Sequence, residues 1–70
     1  MKKVISNMAG NVWKILVQPG EHVEEGQHVV ILESMKMEIH VASETSGTVK
    51  EVKIQEGEFV NEGDELLELE

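Results

Sequence analysis

The chain contains no cysteine, so no disulfide can staple it and no thiol is available as a nucleophile or metal ligand. Aromatic residues are almost missing too: Trp13 and Phe59 are the only two, which leaves valine, isoleucine, leucine and methionine to fill a core. Basic residues are scarce, six against fourteen acidic ones, and the formal charge of −8 is spread along the chain instead of forming a tail. Such a surface repels phosphate backbones and anionic headgroups, so neither nucleic acid nor a membrane is an expected partner. Long apolar runs are lacking as well. Met1-Lys2-Lys3 resembles the start of a signal peptide, but Val4-Ile5 gives way at once to Ser6-Asn7. No transmembrane span is expected, and the cytoplasm is the expected compartment.

Helical signal is another absence. No stretch of ten residues keeps a 3.6-residue period without meeting a glycine or a β-branched run, and the best rival, Glu24 to Met37, is interrupted by Gly26. At 70 residues the chain has room for one domain, residues 1–70. A chain this short buries roughly 60 to 65% of the surface its unfolded form exposes. No nucleophile-and-base constellation is present, and there is little chain with which to build a pocket, so an autonomous enzyme is not expected.

What is present is a repeat. Displacing the sequence by 37 positions superposes Gly10, Gly20 and Gly26 on Gly47, Gly57 and Gly63. Between the glycines Val12 meets Val49, Ile15 meets Val52, Val17 meets Ile54, Glu21 meets Glu58, Val23 meets Val60 and Glu25 meets Glu62. Val29 and Leu32 then meet Leu66 and Leu69. Each unit is too small to bury its own apolar face, so the halves are expected to cover one another about a pseudo-twofold axis. Both read as short strands between turns. The expected fold is all-β, a flattened barrel or sandwich of two four-stranded antiparallel sheets. The apolar phase slips between Val12 and Ile15 and again between Val49 and Val52, which predicts a bulge at equivalent points. The glycines are read as turn positions needing φ > 0.

Near the midpoint, Val29 to Leu32 and Ile39 to Ala42 are joined by Glu33-Ser34-Met35-Lys36-Met37-Glu38. A tight two-residue hairpin favours Asn-Gly, Asp-Gly or Gly-Gly, yet Met35-Lys36 stands at its centre. A local rule broken in this way points to function, here a lysine held out on a rigid tip. Under the 37-residue shift Lys36 has no mate inside the chain, so the tip and the two ends of the repeat are expected at opposite poles.

With those residues in view, the sequence resembles the biotinyl domain of biotin-dependent carboxylases, and most of all the small freestanding biotin/lipoyl attachment proteins. The likeness covers nearly the whole chain. Met8-Ala9-Gly10 resembles the family's approach to its second strand, and Gln18 to Gln27 its Gly-rich loop before the acceptor hairpin. Ser46-Gly47-Thr48-Val49 and Glu56 to Gly63 repeat those loops. Two departures stand out: Asn7 precedes Met8 where many members carry proline, and Val17-Gln18-Pro19-Gly20 lacks the protruding thumb of the bacterial acetyl-CoA carboxylase domain.

The resemblance implies a carrier. Biotin would be joined through an amide to the Lys36 side chain by a biotin protein ligase, and would then shuttle carboxylate between a biotin carboxylase and a carboxyltransferase. Met35 and Met37 would be recognised by the ligase and partner enzymes, although hairpin apolars covering a sheet edge would look the same. An exposed lysine is ordinarily an ammonium in water, so the ligase has to help supply the free amine. Two other readings stay open: a lipoyl carrier modified with lipoate at the same lysine, and an unmodified structural β module. Lipoyl domains typically show Asp-Lys at the acceptor, whereas Met35 precedes Lys36 here.

The remaining polar and apolar landmarks carry less. Glu33 and Glu38 read as solvated charges. His22, His28 and His40 lack short ligand spacing and have no cysteine beside them, so no metal site is expected. Trp13 and Leu16 align with Lys50 and Lys53, which implies an exposed apolar patch on the first half only.

Overall fold

The computed structural model describes residues 2–70. They form eight strands: β1 (Lys2–Ile5), β2 (Gly10–Ile15), β3 (His22–Val23), β4 (His28–Ser34), β5 (Met37–Ala42), β6 (Gly47–Val52), β7 (Phe59–Val60) and β8 (Glu65–Leu69). All pairings are antiparallel, and the strands make two four-stranded sheets, ordered β1-β8-β6-β3 and β5-β4-β2-β7. The 37-residue shift turns one order into the other. It carries β2 onto β6, β3 onto β7 and β4 onto β8, while β5 falls on β1. Each half lends its two-residue strand to the other's sheet, β3 to β6 and β7 to β2. Neither half therefore completes a sheet alone, which is the physical form of the mutual covering expected from the repeat.

The core is the repeat seen from inside. Val12 and Val49, Val17 and Ile54, Val23 and Val60, Val29 and Leu66, Val30 and Leu67, Leu32 and Leu69, and Val4 and Val41 are all buried, and every pair is related by the same shift. Burying one valine or leucine fully contributes about 1.5 to 3 kcal/mol, and this matched set stands in for the aromatic residues the chain lacks. Ser6 and Ser43 are the buried polar side chains, and they too are mates. Each hydroxyl donates to the carbonyl two residues on, Met8 or Thr45, and accepts from the same residue's N–H.

The turns repeat in the same detail. The Gln18 N–H donates to the Glu21 carboxylate at 2.7 Å, and the Gln55 N–H to the Glu58 carboxylate at 3.0 Å. Gly20 N–H reaches the Val49 carbonyl and Gly57 N–H the Val12 carbonyl, so each turn is pinned to the opposite half. The expected bulges are present as register shifts between Val12 and Lys14 and between Val49 and Glu51.

One expectation is corrected. Gly20, Gly26, Gly57 and Gly63 have φ near +90°, but Gly10 and Gly47 do not lie in turns with positive φ. They open β2 and β6, where a Cβ would sit 2.9 Å from the Glu33 carbonyl oxygen or 2.8 Å from that of Glu70. Close approach of a neighbouring backbone, and not φ, is what requires glycine there.

Candidate functional site

The β4-β5 hairpin sets the site. Its ladder runs Leu32↔Ile39, Glu33↔Glu38, Ser34↔Met37, so the loop is the two residues Met35 and Lys36. Their φ angles are +53° and +64°, the left-handed pair that a primed hairpin turn demands and that matches the right-handed twist of the strands. Holding an L-residue there costs about 1 to 2 kcal/mol. The ladder above and below supplies what keeps the turn in place, since β4 lies inside its sheet between β2 and β5.

Symmetry fixes where the tip lies. The Leu32↔Ile39 pair is the mate of Lys2↔Leu69 in the β1-β8 ladder. Beyond that level the β4-β5 ladder continues for two more pairs before turning, which carries Lys36 to one end of a 32 × 19 × 18 Å molecule. The described ends of the chain come together at the other end.

Lys36 is exposed, and its amine makes no hydrogen bond or ion pair with any described residue. Met35 is 91% exposed and Met37 63%. Met35 therefore contributes almost nothing to burial, and Met37, although partly covered, also lies outside the buried core cluster. Glu33 and Glu38 face each other directly across the stem and are both exposed. Like charges so placed are mildly destabilising, so the stem carries a small electrostatic penalty beneath the tip. An exposed amine on the hairpin apex, flanked by two exposed thioethers, is open to acylation by a partner that closes over it from outside.

The other landmarks are spread away from the apex. Trp13 and Leu16 are 45% and 42% exposed, and the Lys14 ammonium lies 5.6 Å from the centre of the Trp13 ring. Their mates Lys50 and Lys53 are exposed, and in the second half Phe59 is an exposed large apolar residue. A concavity lined by Lys3, Val4, Ile5, Ala42 and Glu44 lies between β1 and β5. His22 contacts the Glu24 carboxylate, whereas His28 and His40, twelve positions apart in sequence, meet edge to face. Periodicity gave no sign of that meeting, because it depends on strand register. No group of three or more His, Cys, Asp or Glu side chains forms a metal cluster among the described residues, and no helix there is long and apolar enough to cross a membrane.

Comparison with known proteins agrees with this geometry. The family model described as "Biotin-requiring enzyme" matches residues 2–69. The biotin/lipoyl attachment protein of Bacillus subtilis is 64% identical over 37 residues, 53% of this chain and 51% of that protein. The biotin carboxyl carrier protein of acetyl-CoA carboxylase from Solanum lycopersicum is 54% identical over 35 residues, half of each chain. The chain thus spans about half the length of these two curated relatives in the matched region. Among solved structures, the urea carboxylase of Kluyveromyces lactis superposes with a TM-score of 0.86 at 35% identity, covering 94% of this chain and 6% of that one. With the family model matched from Lys2 to Leu69 and the fold superposing on a carboxylase segment, the chain belongs to the biotin/lipoyl attachment family.

Proposed function

We propose that residues 1–70 act as a single carrier domain whose Lys36 is the covalent attachment point for biotin, and that the domain itself catalyses no reaction. The observation that carries this reading is the free Lys36 amine at the apex of a hairpin whose two loop residues are both held at positive φ. The apex fits the group: an amide forms when the amine attacks an activated biotin carboxyl, the activating group leaves, and the amine loses its protons to solvent or the ligase. Lys36 is exposed, and no described residue is hydrogen-bonded to or ion-paired with that nitrogen.

Bound biotin supplies a ring nitrogen able to take up and release a carboxyl group, and the chain's own residues do the rest. The hairpin holds the attachment nitrogen away from the acidic body, and the tether makes each encounter intramolecular at an effective concentration of about millimolar for a short flexible link. Met35 and Met37 present adaptable apolar surface to the ligase and then to the biotin carboxylase and carboxyltransferase. The names of the relatives support carboxylases as the partner class. The family also includes lipoyl carriers, and Met35 ahead of the lysine favours biotin over lipoate.

Intact mass of the protein from its native host separates these outcomes, because biotin, lipoate and no adduct give three different masses. Coexpression of Lys36→Arg with biotin ligase is expected to abolish streptavidin binding while leaving the circular dichroism melt unchanged. Streptavidin binding retained by that variant would move the attachment site elsewhere, and an unmodified wild type would leave a structural β module.

A further inference from the structure

We infer that His28 and His40 form a two-imidazole site for a divalent transition-metal ion of the Cu2+ or Ni2+ class, on the outer face of the acceptor hairpin. His40 stands opposite Ile31, and His28 stands opposite Ala42, with a register shift between His28 and Val30. Residues facing the same side one diagonal step apart come within reach of long side chains, and here the two Nδ1 atoms lie 3.0 Å apart with the ring centres at 4.8 Å. Both residues are exposed.

Those two distances test chelation independently. With a metal–nitrogen bond of about 2.0 to 2.1 Å, a 3.0 Å nitrogen separation corresponds to a nitrogen–metal–nitrogen angle of about 95°. Each imidazole centre lies about 1.15 Å beyond its nitrogen, and the 4.8 Å ring separation returns about the same angle on those bond lengths. Without metal the same contact is a bent Nδ1–H···Nδ1 hydrogen bond between the rings, so chelation replaces the shared proton with the ion. An angle near 95° is closer to the cis positions of a tetragonal ion than to a tetrahedron, which favours Cu2+ and Ni2+ over Zn2+.

The pseudo-twofold mate of the site holds a charged pair instead. The shift carries His28 onto Glu65 and His40 onto Lys3, and these two form an ion pair of 3.2 Å. On that sheet, opposite charges tie β1 to β8 across the register shift between Val4 and Ile5. On the acceptor sheet, two imidazoles occupy the same place and contact each other at 3.0 Å instead of forming an ion pair. A bound cation completes the pairing there and staples β4 to β5 beneath the lysine hairpin, leaving further coordination positions to water or to an incoming donor.

The test titrates tag-free protein with Ni2+ and with Cu2+. One equivalent is expected to bind by calorimetry, with paramagnetic broadening centred on the His28 and His40 rings. His28→Ala and His40→Ala are each expected to weaken binding at least about tenfold, because the second ligation is intramolecular in the wild type. His22→Ala is expected to change nothing. The double variant His28→Glu with His40→Lys copies the Glu65–Lys3 pair, so it is expected to fold and melt like the wild type while losing metal uptake. Wild type that takes up neither ion, or uptake that survives in the double variant, overturns the assignment. None of these readouts depends on whether Lys36 carries biotin.

Discussion

Replacing Met35 by asparagine is expected to raise stability and lower attachment at the same time. Met35 sits at φ +53° with 91% of its surface exposed, so it contributes little packing and bears the left-handed penalty of an L-residue. Asparagine adopts that conformation readily through its short polar side chain, which recovers about 1 kcal/mol. The burial forfeited is the small covered remainder of the methionine, worth below about 0.5 kcal/mol at 25 cal/mol per Å2. The net gain of about 0.5 to 1 kcal/mol moves the melting temperature of a domain this size upward by about 2 to 8 °C. Far-ultraviolet circular dichroism melts read the first effect, and a streptavidin gel shift at limiting biotin ligase reads the second. A lower melting temperature would refute the claim that the turn is strained. An unchanged ligation rate would refute recognition of Met35 and leave Lys36 as the only functional residue of the loop.

Further outcomes follow from the same geometry. Gly10→Ala and Gly47→Ala place a methyl against backbone carbonyls 2.9 and 2.8 Å away. Each is expected to destabilise by about 1 to 3 kcal/mol, Gly10→Ala the more, because Glu33 is held on both sides by Asn11 and Glu38; urea midpoints in the reverse order would sink that reasoning. Ser6→Ala and Ser43→Ala remove mated buried hydroxyls and are each expected to lose about 1 to 3 kcal/mol, with losses that agree within measurement error. A large inequality would show that the two halves are not energetically alike. Lys53, hydrogen-bonded to Glu51 and facing Glu68 and Glu65, has its ammonium held above its ordinary range. A raised value means its contribution is complete at neutral pH and is lost only as pH climbs through that value. Melts at neutral and mildly alkaline pH are therefore expected to coincide, and a Lys53-dependent loss in mild alkali would count against the pairing.

Much of this protein was legible in the chain before any strand was placed. The glycine spacing and the matched valines and leucines disclosed two equal units, and alternation with turn residues made them β. The phase slip at Val12 and Val49 located the bulges, and Met35-Lys36 at the centre of a hairpin singled out the lysine. These are local signals: a period of two, a turn that needs a special φ, and an exception to the turn rule.

Tertiary structure decided everything that depends on which strands become neighbours. That β3 and β7 trade sheets, that β1 plays the part of β5 in the second half so that Val4 is the mate of Val41, and that Gly10 is required by the Glu33 carbonyl are facts of register between distant segments. The His28–His40 contact is another of these, created by antiparallel pairing and a one-residue slip that bring rings twelve positions apart to 3.0 Å. Side-chain pattern along a strand records which face is buried but not what lies across the ladder, because cross-strand partners are chosen by the packing of the whole sheet.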